Sequence, residues 1–369
     1  MFDFIPIQYY AHYFDITVLV LLLIALWQCH KGLILKPHIV EMNANWSVFI
    51  ALLLILYMGL RPISGYFGDT INYAQGFYDY QRSSVPFHWE WDREWLFQNL
   101  FHFFAKYSNL HSFFLLCSAI YIGALWIATR KIFREYNYIP FLVILLMFSF
   151  WSYGVNGIRN GMGASLFILA LSLVNKPVLA LGCCFLAIGC HSSVYLMVAA
   201  ATLAWFFKNS YYYLCGWIVS IALSYFVGAS IQARLSTISL FAGDERFSGY
   251  LTGENMIGEI VQMSMTFRWD FLLYSSLAVA VGYYFIFQRN YKDEYYHWIY
   301  NIYLITNSFW ILIIRAAYSN RFAQISWFIM PIVLIYPFMR QRFWNHHEKM
   351  LGYALVLFYA FTFYSNIIK

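Results

Sequence analysis

One arginine stands between two long apolar runs in the stretch Trp151-Ser-Tyr-Gly-Val-Asn-Gly-Ile-Arg-Asn-Gly-Met-Gly163. A guanidinium at membrane depth costs about 2.5–3.5 kcal/mol even on the insertion scales that give the lowest values, so Arg159 requires a partner or a function. His191 interrupts another apolar segment, and Arg315 and Arg321 flank a break between two later ones. Cations repeatedly placed at helix ends predict that the protein holds an anion there.

The composition indicates an integral membrane protein. Of the 369 residues, 62% are hydrophobic and only 11% are charged, whereas about 25% of the residues of a soluble domain are charged. The net charge of +6 is spread over many loops, which argues against a nucleic-acid partner. The six cysteines lie in or beside apolar segments without CxxC spacing, so we expect small buried side chains rather than a disulfide framework or a metal site.

The apolar runs predict an all-α polytopic membrane protein with about twelve transmembrane segments. Ten runs are clear, and the stretch 178–207 is read as two short segments that meet at His191. We expect one integral membrane domain over residues 1–369. The ten clear runs lie at about 14–30, 46–60, 110–128, 139–153, 161–175, 211–231, 269–287, 297–314, 322–338 and 350–366.

Positive charge in short loops predicts the orientation. If 178–207 is a hairpin, one set of short loops carries more than half of the Lys and Arg residues but fewer than a third of the acidic ones. That side is therefore predicted to be cytoplasmic, and the two longest loops, 61–109 and 232–268, are predicted to be external. The loops of the basic set are 30–45, 129–138, 174–177, 207–210, 288–296 and 339–349.

Each candidate site residue also has a purely structural interpretation. Asp69 follows a glycine and could be a turn or helix-cap residue. Arg159 could form an interhelical ion pair or extend to the interface, His191 could be a packing residue, and Arg268 could be satisfied by Asp270. The tryptophans and acids after residue 89 predict an amphipathic interfacial helix over 90–107, with a platform for glycan rings as the functional alternative.

An ordered series of motifs resembles the EpsG family of Wzy-type polysaccharide polymerases. The resemblance covers about residues 65–340. The motifs are Gly68-Asp69 with Tyr73, Glu94 before an aromatic helix, Arg159-Asn-Gly-Met-Gly-Ala-Ser165, His191-Ser-Ser193, Arg268-Trp-Asp-Phe-Leu-Leu-Tyr274 and Tyr318-Ser-Asn-Arg-Phe-Ala323.

The resemblance implies a metal-independent, inverting glycosyltransferase with a GT-C-like helical bundle and no cofactor. It implies a donor glycan on undecaprenyl pyrophosphate and an acceptor repeat unit on a second such lipid. It also implies a multi-pass protein of the bacterial cytoplasmic (inner) membrane whose active site faces the periplasm or exterior. The product would be O-antigen, capsule or exopolysaccharide, and a chain-length regulator is a further candidate partner.

The residue types agree with that chemistry. A pyrophosphate leaves as an anion, so guanidinium groups can replace the general acid that a glycosidase requires. One base must accept the proton of the acceptor hydroxyl, and His191 is the first candidate because a histidine has an ordinary pKa of about 6.5. Asp69 is the second candidate. The predicted pyrophosphate and substrate contacts are Arg159, Arg321, Arg315, Arg268, Asn160, Asn320 and Tyr73, with no metal ligand among them.

Three other classes stay open at this point. An O-antigen ligase would use the same donor with a different acceptor. A flippase or transporter of a lipid-linked sugar would also need buried cations, although the sequence lacks the paired broken helices common in transporters. A membrane acyltransferase would use a membrane histidine, but with its donor on the cytoplasmic side.

Overall fold

The computed structural model of the protein describes residues 5–237, 266–316 and 319–368. Within these ranges the regular structure is helical, and no strand occurs there. The prediction of an all-α polytopic membrane protein is confirmed. Most of the predicted external loop 232–268 lies outside the described residues, and its first residues belong to a helix that continues to Thr237.

Sixteen α-helices lie in the described ranges. They are α1 Tyr10–His30, α2 Pro37–Gly59, α3 Thr70–Arg82, α4 Trp95–Tyr107, α5 Leu110–Phe133, α6 Tyr138–Leu145, α7 Phe150–Val155, α8 Ile158–Ser172, α9 Pro177–Cys190, α10 Val194–Phe206, α11 Ser210–Thr237, α12 Trp269–Tyr283, α13 Glu294–Leu312, α14 Asn320–Trp327, α15 Met330–Arg340 and α16 His347–Phe363.

Seven helical segments of the described chain are long and apolar enough to cross a membrane. Three further helices, α8, α9 and α10, are apolar but shorter. The predicted break in 178–207 is confirmed, because α9 ends at Cys190 and α10 begins at Val194. The seven segments are Ile7–His30, Pro37–Gly59, Leu110–Leu145, Ser210–Gly228, Trp269–Gln288, Asn320–Arg340 and His347–Ile368.

Two predicted elements differ in the structure. The expected continuous span 139–153 is divided into α6 and α7 by a turn at residues 146–149. The expected interfacial helix over 90–107 begins only at Trp95, because Glu94 has a left-handed backbone with φ of +58° that interrupts a right-handed helix.

The described chain divides into two compact units. The first contains residues 1–195 and 338–369, and the second contains residues 196–337. The single membrane domain over 1–369 stays a prediction.

The first unit has an aromatic core between α3, α4 and α5. Phe77, Phe97, Phe101 and Phe113 are buried, and three of their pairs meet edge-on, an arrangement that aromatic rings prefer over a face-to-face sandwich. Phe97 and Phe101 are nearly parallel, with ring centroids 6.3 Å apart. In α4 the core residues recur at four-residue spacing, as expected of one helix face. The opposite face of α4 is thereby turned away from the core.

Candidate active site

The carboxylate of Glu94 is the centre of a polar cluster in the first unit. Arg159 Nη1 lies 2.6 Å from Glu94 Oε2. The Ser192 N–H donates to Glu94 Oε1 at 3.4 Å, and His191 Nε2 lies 3.6 Å from the same oxygen. Only 9% of the Glu94 side chain is exposed, against 22% for Arg159 and 26% for His191. The cluster is therefore shielded but not closed to solvent.

Asn99 holds the loop that presents Glu94. Its buried side chain accepts the Glu90 N–H at 3.0 Å and donates to the carbonyls of Glu90 and Trp95 at 2.6 and 2.7 Å. A left-handed backbone at a residue other than glycine costs about 1–3 kcal/mol and persists only where its surroundings fix it. The Asn99 bonds and the Arg159 ion pair supply that fixation for Glu94.

Close packing brings His191 to Glu94. A Cβ atom at Gly189, near the end of α9, would lie 2.6 Å from the Trp95 ring and 2.9 Å from Leu96 Cβ, so only glycine fits there. The first turn of α4 therefore rests directly on the last turn of α9. His191 leaves that helix in an extended conformation, and its ring returns toward the Glu94 carboxylate.

The surroundings of His191 assign its neutral tautomer. The Ser193 N–H donates to Nδ1 at 3.1 Å, and the Ser193 hydroxyl lies 2.8 Å from the same nitrogen. Because an amide N–H can only donate, Nδ1 is the accepting nitrogen and the ring proton is on Nε2, which faces Glu94. Ser193 Oγ also lies 3.2 Å from Asn160 Oδ1, so the one hydroxyl proton has two acceptors within reach, Nδ1 and Asn160 Oδ1. The order carboxylate, imidazole, hydroxyl is the arrangement by which a carboxylate orients a general base.

Tyr73 extends the cluster on its α3 side. Its phenol is close enough to the Arg159 guanidinium for the two groups to interact electrostatically. Burial raises the pKa of Tyr73, and the nearby Arg159 charge opposes part of that rise. The phenol is therefore protonated at neutral pH. Asp69 lies one turn earlier in the chain, and its charge acts on the Tyr73 phenol.

Asp69 occupies the N-cap position of α3, but its side chain caps no helix N–H. Its own N–H donates to Asn156 Oδ1 at 2.9 Å. The preceding Gly68 has a φ of +60°, and a Cβ there would lie 2.4 Å from the Asn156 side chain. This glycine lets the loop approach the end of α7, which places Asp69 near Tyr73 without using its carboxylate as a cap.

A second arginine is fully buried behind this loop. Arg61 donates to the Met58 carbonyl at 2.7 Å, to the Val155 carbonyl at 3.0 Å and to Thr70 Oγ1 at 3.2 Å. Its guanidinium also stacks over the Phe114 ring at 4.4 Å. Burial lowers the pKa of Arg61 to about 10. Arg61 therefore joins the end of α2, the start of α3 and the end of α7.

The remaining predicted contacts belong to the second unit. Arg268 forms a two-bond pair with Asp270, at 2.9 and 2.7 Å, and stacks on Phe271. Arg315 donates to the Tyr225 carbonyl at 3.4 Å and lies over the Phe267 ring. Arg321 is exposed at the start of α14, beside Asn320. Ser319 is at the N-cap of that helix, but its side chain accepts no helix N–H.

The structure places five of the predicted site residues in one unit and adds others that have no predicted role. Asp69, Tyr73, Arg159, Asn160 and His191 all belong to the first unit, linked through the contacts described above. The missed members are Glu94, Ser193 and Arg61. Glu94 was present in the motif series, and the need of Arg159 for a counter-charge was the signal that could have selected it.

No group of three or more His, Cys, Asp or Glu side chains in the described ranges is arranged to hold a metal ion. The six cysteines are unpaired, and Cys29, Cys117 and Cys190 are buried, as expected for small apolar residues.

The helices and the shielded ionic cluster together define a polytopic, all-α membrane protein with a polar site in its first unit. The EpsG family profile matches residues 45–369. The chain therefore belongs to the EpsG family, and it is a membrane protein of polysaccharide biosynthesis. This confirms the resemblance drawn from the ordered motifs. No curated protein and no solved structure matched the chain.

Proposed function

We propose that this protein is a Wzy-type polymerase that joins oligosaccharide repeat units carried on undecaprenyl pyrophosphate. The reaction is an inverting glycosyl transfer that needs no metal ion, at the periplasmic or external face of the bacterial cytoplasmic membrane. The observation that carries the proposal is the Arg159–Glu94–His191 cluster, in a chain that belongs to a family of polysaccharide biosynthesis.

Arg159 is proposed to bind the departing pyrophosphate. A guanidinium has five N–H donors, and the contacts to Glu94 and Tyr73 leave others for phosphoryl oxygens. Stabilising a leaving anion by fixed donors lowers the barrier most where water is partly excluded. Asn160, and Arg268, Arg315, Arg321 and Asn320 of the second unit, stay proposed contacts of the donor and acceptor lipids.

His191 is proposed to be the general base, with Ser193 in the proton path. The acceptor oxygen attacks the anomeric carbon as the bond from that carbon to the pyrophosphate oxygen breaks, and the bonding pair leaves with the phosphate. The acceptor hydroxyl proton passes to Ser193 Oγ while the Ser193 proton passes to His191 Nδ1. Glu94 then stabilises the imidazolium from the Nε2 side. Asp69, close to Tyr73, is the alternative base.

The direct test uses purified protein in lipid nanodiscs with lipid-linked repeat units. We expect a ladder of products that differ by one repeat, formed after chelation of divalent cations. Wild-type protein that yields no ladder, or a ladder only with added metal, contradicts the proposal. Transfer to a lipid A-core acceptor without a ladder identifies the ligase alternative instead.

Ser193→Ala tests the proton path. The variant removes the hydroxyl 2.8 Å from Nδ1 but keeps the Ser193 N–H bond, so turnover is expected to fall while donor binding persists. Ser172→Ala is the matched control, because its hydroxyl bonds only to the Leu169 carbonyl within its own helix. Equal turnover of the two variants removes Ser193 from the path.

A further inference from the structure

A cleft of about 270 Å³ opens beside the Glu94 cluster, within the first unit. Its volume is at the lower end of small-molecule pockets, about 300–1,000 Å³, so it suits one small ligand rather than a chain. Its floor is the face of α4 that is turned away from the aromatic core, where residues recur at three- and four-residue spacing. It is lined by Glu90, Asp92, Arg93, Trp95, Gln98 and His102.

The lining combines an aromatic ring with hydrogen-bonding side chains. Two carboxylates accept hydroxyl protons, and a glutamine amide both donates and accepts. The Trp95 ring belongs to a larger aromatic group with Trp89 and Trp91, with ring centroids 4.8 to 5.8 Å apart. Pyranose rings present C–H groups on a face and hydroxyls at the edge, which matches an aromatic face framed by polar groups.

The cleft is preformed and adjoins the proposed reaction centre. Asn99 holds the loop through backbone bonds to Glu90 and Trp95. Arg93 donates to Ser192 Oγ at 2.9 Å, and the N–H of the same Ser192 donates to Glu94. A ligand between Arg93 and Trp95 is therefore one residue away from the ionic cluster along the loop.

We propose that this cleft is a sugar-binding subsite that holds one uncharged pyranose ring of the lipid-linked glycan. The inference rests on the proposed function and names a substrate feature of the same site. The lining has two carboxylates and one guanidinium, which already donates to Ser192, so a uronic acid or phosphorylated sugar is disfavoured. Of the two carboxylates, Glu90 also pairs with His88 outside the lining, whereas Asp92 has no such partner among the ion pairs of the described residues. The charged lining also distinguishes the cleft from a surface that embeds in acyl chains.

Saturation-transfer NMR tests the subsite with the full-length protein in nanodiscs. The probes are methyl pyranosides of gluco, galacto, manno and N-acetylamino configuration, together with methyl uronides. We expect transfer to at least one neutral pyranoside and weaker transfer to its uronide. Asp92→Asn and Gln98→Ala should each weaken binding of the neutral sugar about tenfold. Asp92→Asn should also reduce the difference in binding between the neutral pyranoside and its uronide, because it removes a carboxylate that repels the uronide.

Asp79→Asn and Gln75→Ala are the matched controls, since both side chains are exposed on α3 and neither lines the cleft. Absence of transfer to every neutral pyranoside overturns the inference, as does equal binding by the cleft variants and their controls. His191→Ala should still bind the neutral sugar but form no product ladder, so it separates sugar binding from polymerisation. If the wild-type protein binds the sugar but forms no product ladder, only the proposed polymerase function is contradicted. If it forms a ladder but binds no neutral pyranoside, only the proposed sugar subsite is contradicted.

Discussion

Arg61 and Arg159 are two arginines of one unit with opposite surroundings. Arg61 is fully buried and meets two carbonyls, one hydroxyl and an aromatic ring. Arg159 is partly exposed, pairs with a carboxylate, interacts with the Tyr73 phenol and lies 5.8 Å from the centre of the Phe97 ring. Neutral groups accept three hydrogen bonds from the buried Arg61, and its Nε has no hydrogen-bond partner among the described residues. The pair with Glu94 instead leaves Arg159 partly exposed. The comparison indicates a structural role for Arg61 and a functional one for Arg159.

His191→Ala gives the largest expected effect on the functional side of the comparison. Turnover should fall by about 10²–10⁴, the usual contribution of a general base, while binding of the lipid-linked donor stays near that of the wild type. His191→Gln restores a donor but no base, so it should remain impaired. Near-normal turnover of the glutamine variant, together with an inactive Asp69→Asn, assigns the base to Asp69.

Arg159→Lys should lower the polymerisation rate about 10–100-fold. Lysine keeps the charge but loses the two-bond geometry for phosphate, and one charged hydrogen bond is worth about 1.5–3 kcal/mol. Initial rates of ladder formation measure the effect. Arg130→Lys, at an exposed site in the last turn of α5, is the control. Equal rates for both variants show that Arg159 supplies charge alone.

Arg61→Met should affect folding rather than chemistry. The change removes the Arg61 donor from the Met58 carbonyl, and it leaves the Val155 carbonyl with only its weaker bond from the Thr70 hydroxyl at 3.2 Å. An unsatisfied buried group costs about 1–3 kcal/mol. Size-exclusion profiles after heating in nanodiscs should show a lower survival temperature, with activity per folded molecule within a few-fold of the wild type. A stable but inactive variant contradicts the division of roles between the two arginines.

Tyr73→Phe should have the smallest effect, a few-fold loss of rate from the missing interaction of its phenol with Arg159. Its pH signature is specific. The folded-state pKa of Tyr73 is above its ordinary value of 10.0, so the unfolded chain releases that proton first and stability falls as the pH rises above about 10. Thermal survival measured on both sides of that pH should show a smaller alkaline loss in the variant. An unchanged alkaline loss excludes a buried Tyr73 phenol.

Local sequence was sufficient for the helices and for the break at His191. Apolar runs define helices through their own composition, and a His-Ser-Ser group between two such runs marks the end of one helix and the start of the next. The turn that divides α6 from α7 was not predictable in this way, since residues 146–149 are Leu-Met-Phe-Ser and contain no proline or glycine.

The site was predictable only in part, because its decisive contacts join distant residues. Arg159 signalled that it needed a partner, but Glu94 precedes it by 65 residues and looks like the first turn of an amphipathic helix. Arg61 looks like an interfacial cation after an apolar run, and its acceptor Val155 lies 94 residues further along. Pairing over such separations depends on tertiary packing, which no local pattern encodes.

The hydrogen bonds of Asn99 to the loop have a consequence for how members of this family could come to differ in sequence. Asn99 holds the loop through main-chain atoms of Glu90 and Trp95, so these bonds do not depend on the side chains at positions 90 and 92. Those two positions can change without loss of the bonds that hold Glu94 in place, whereas Arg93 is joined to Ser192. An exchange of residues 85–107 between homologues would then transfer the sugar preference of one protein to the other.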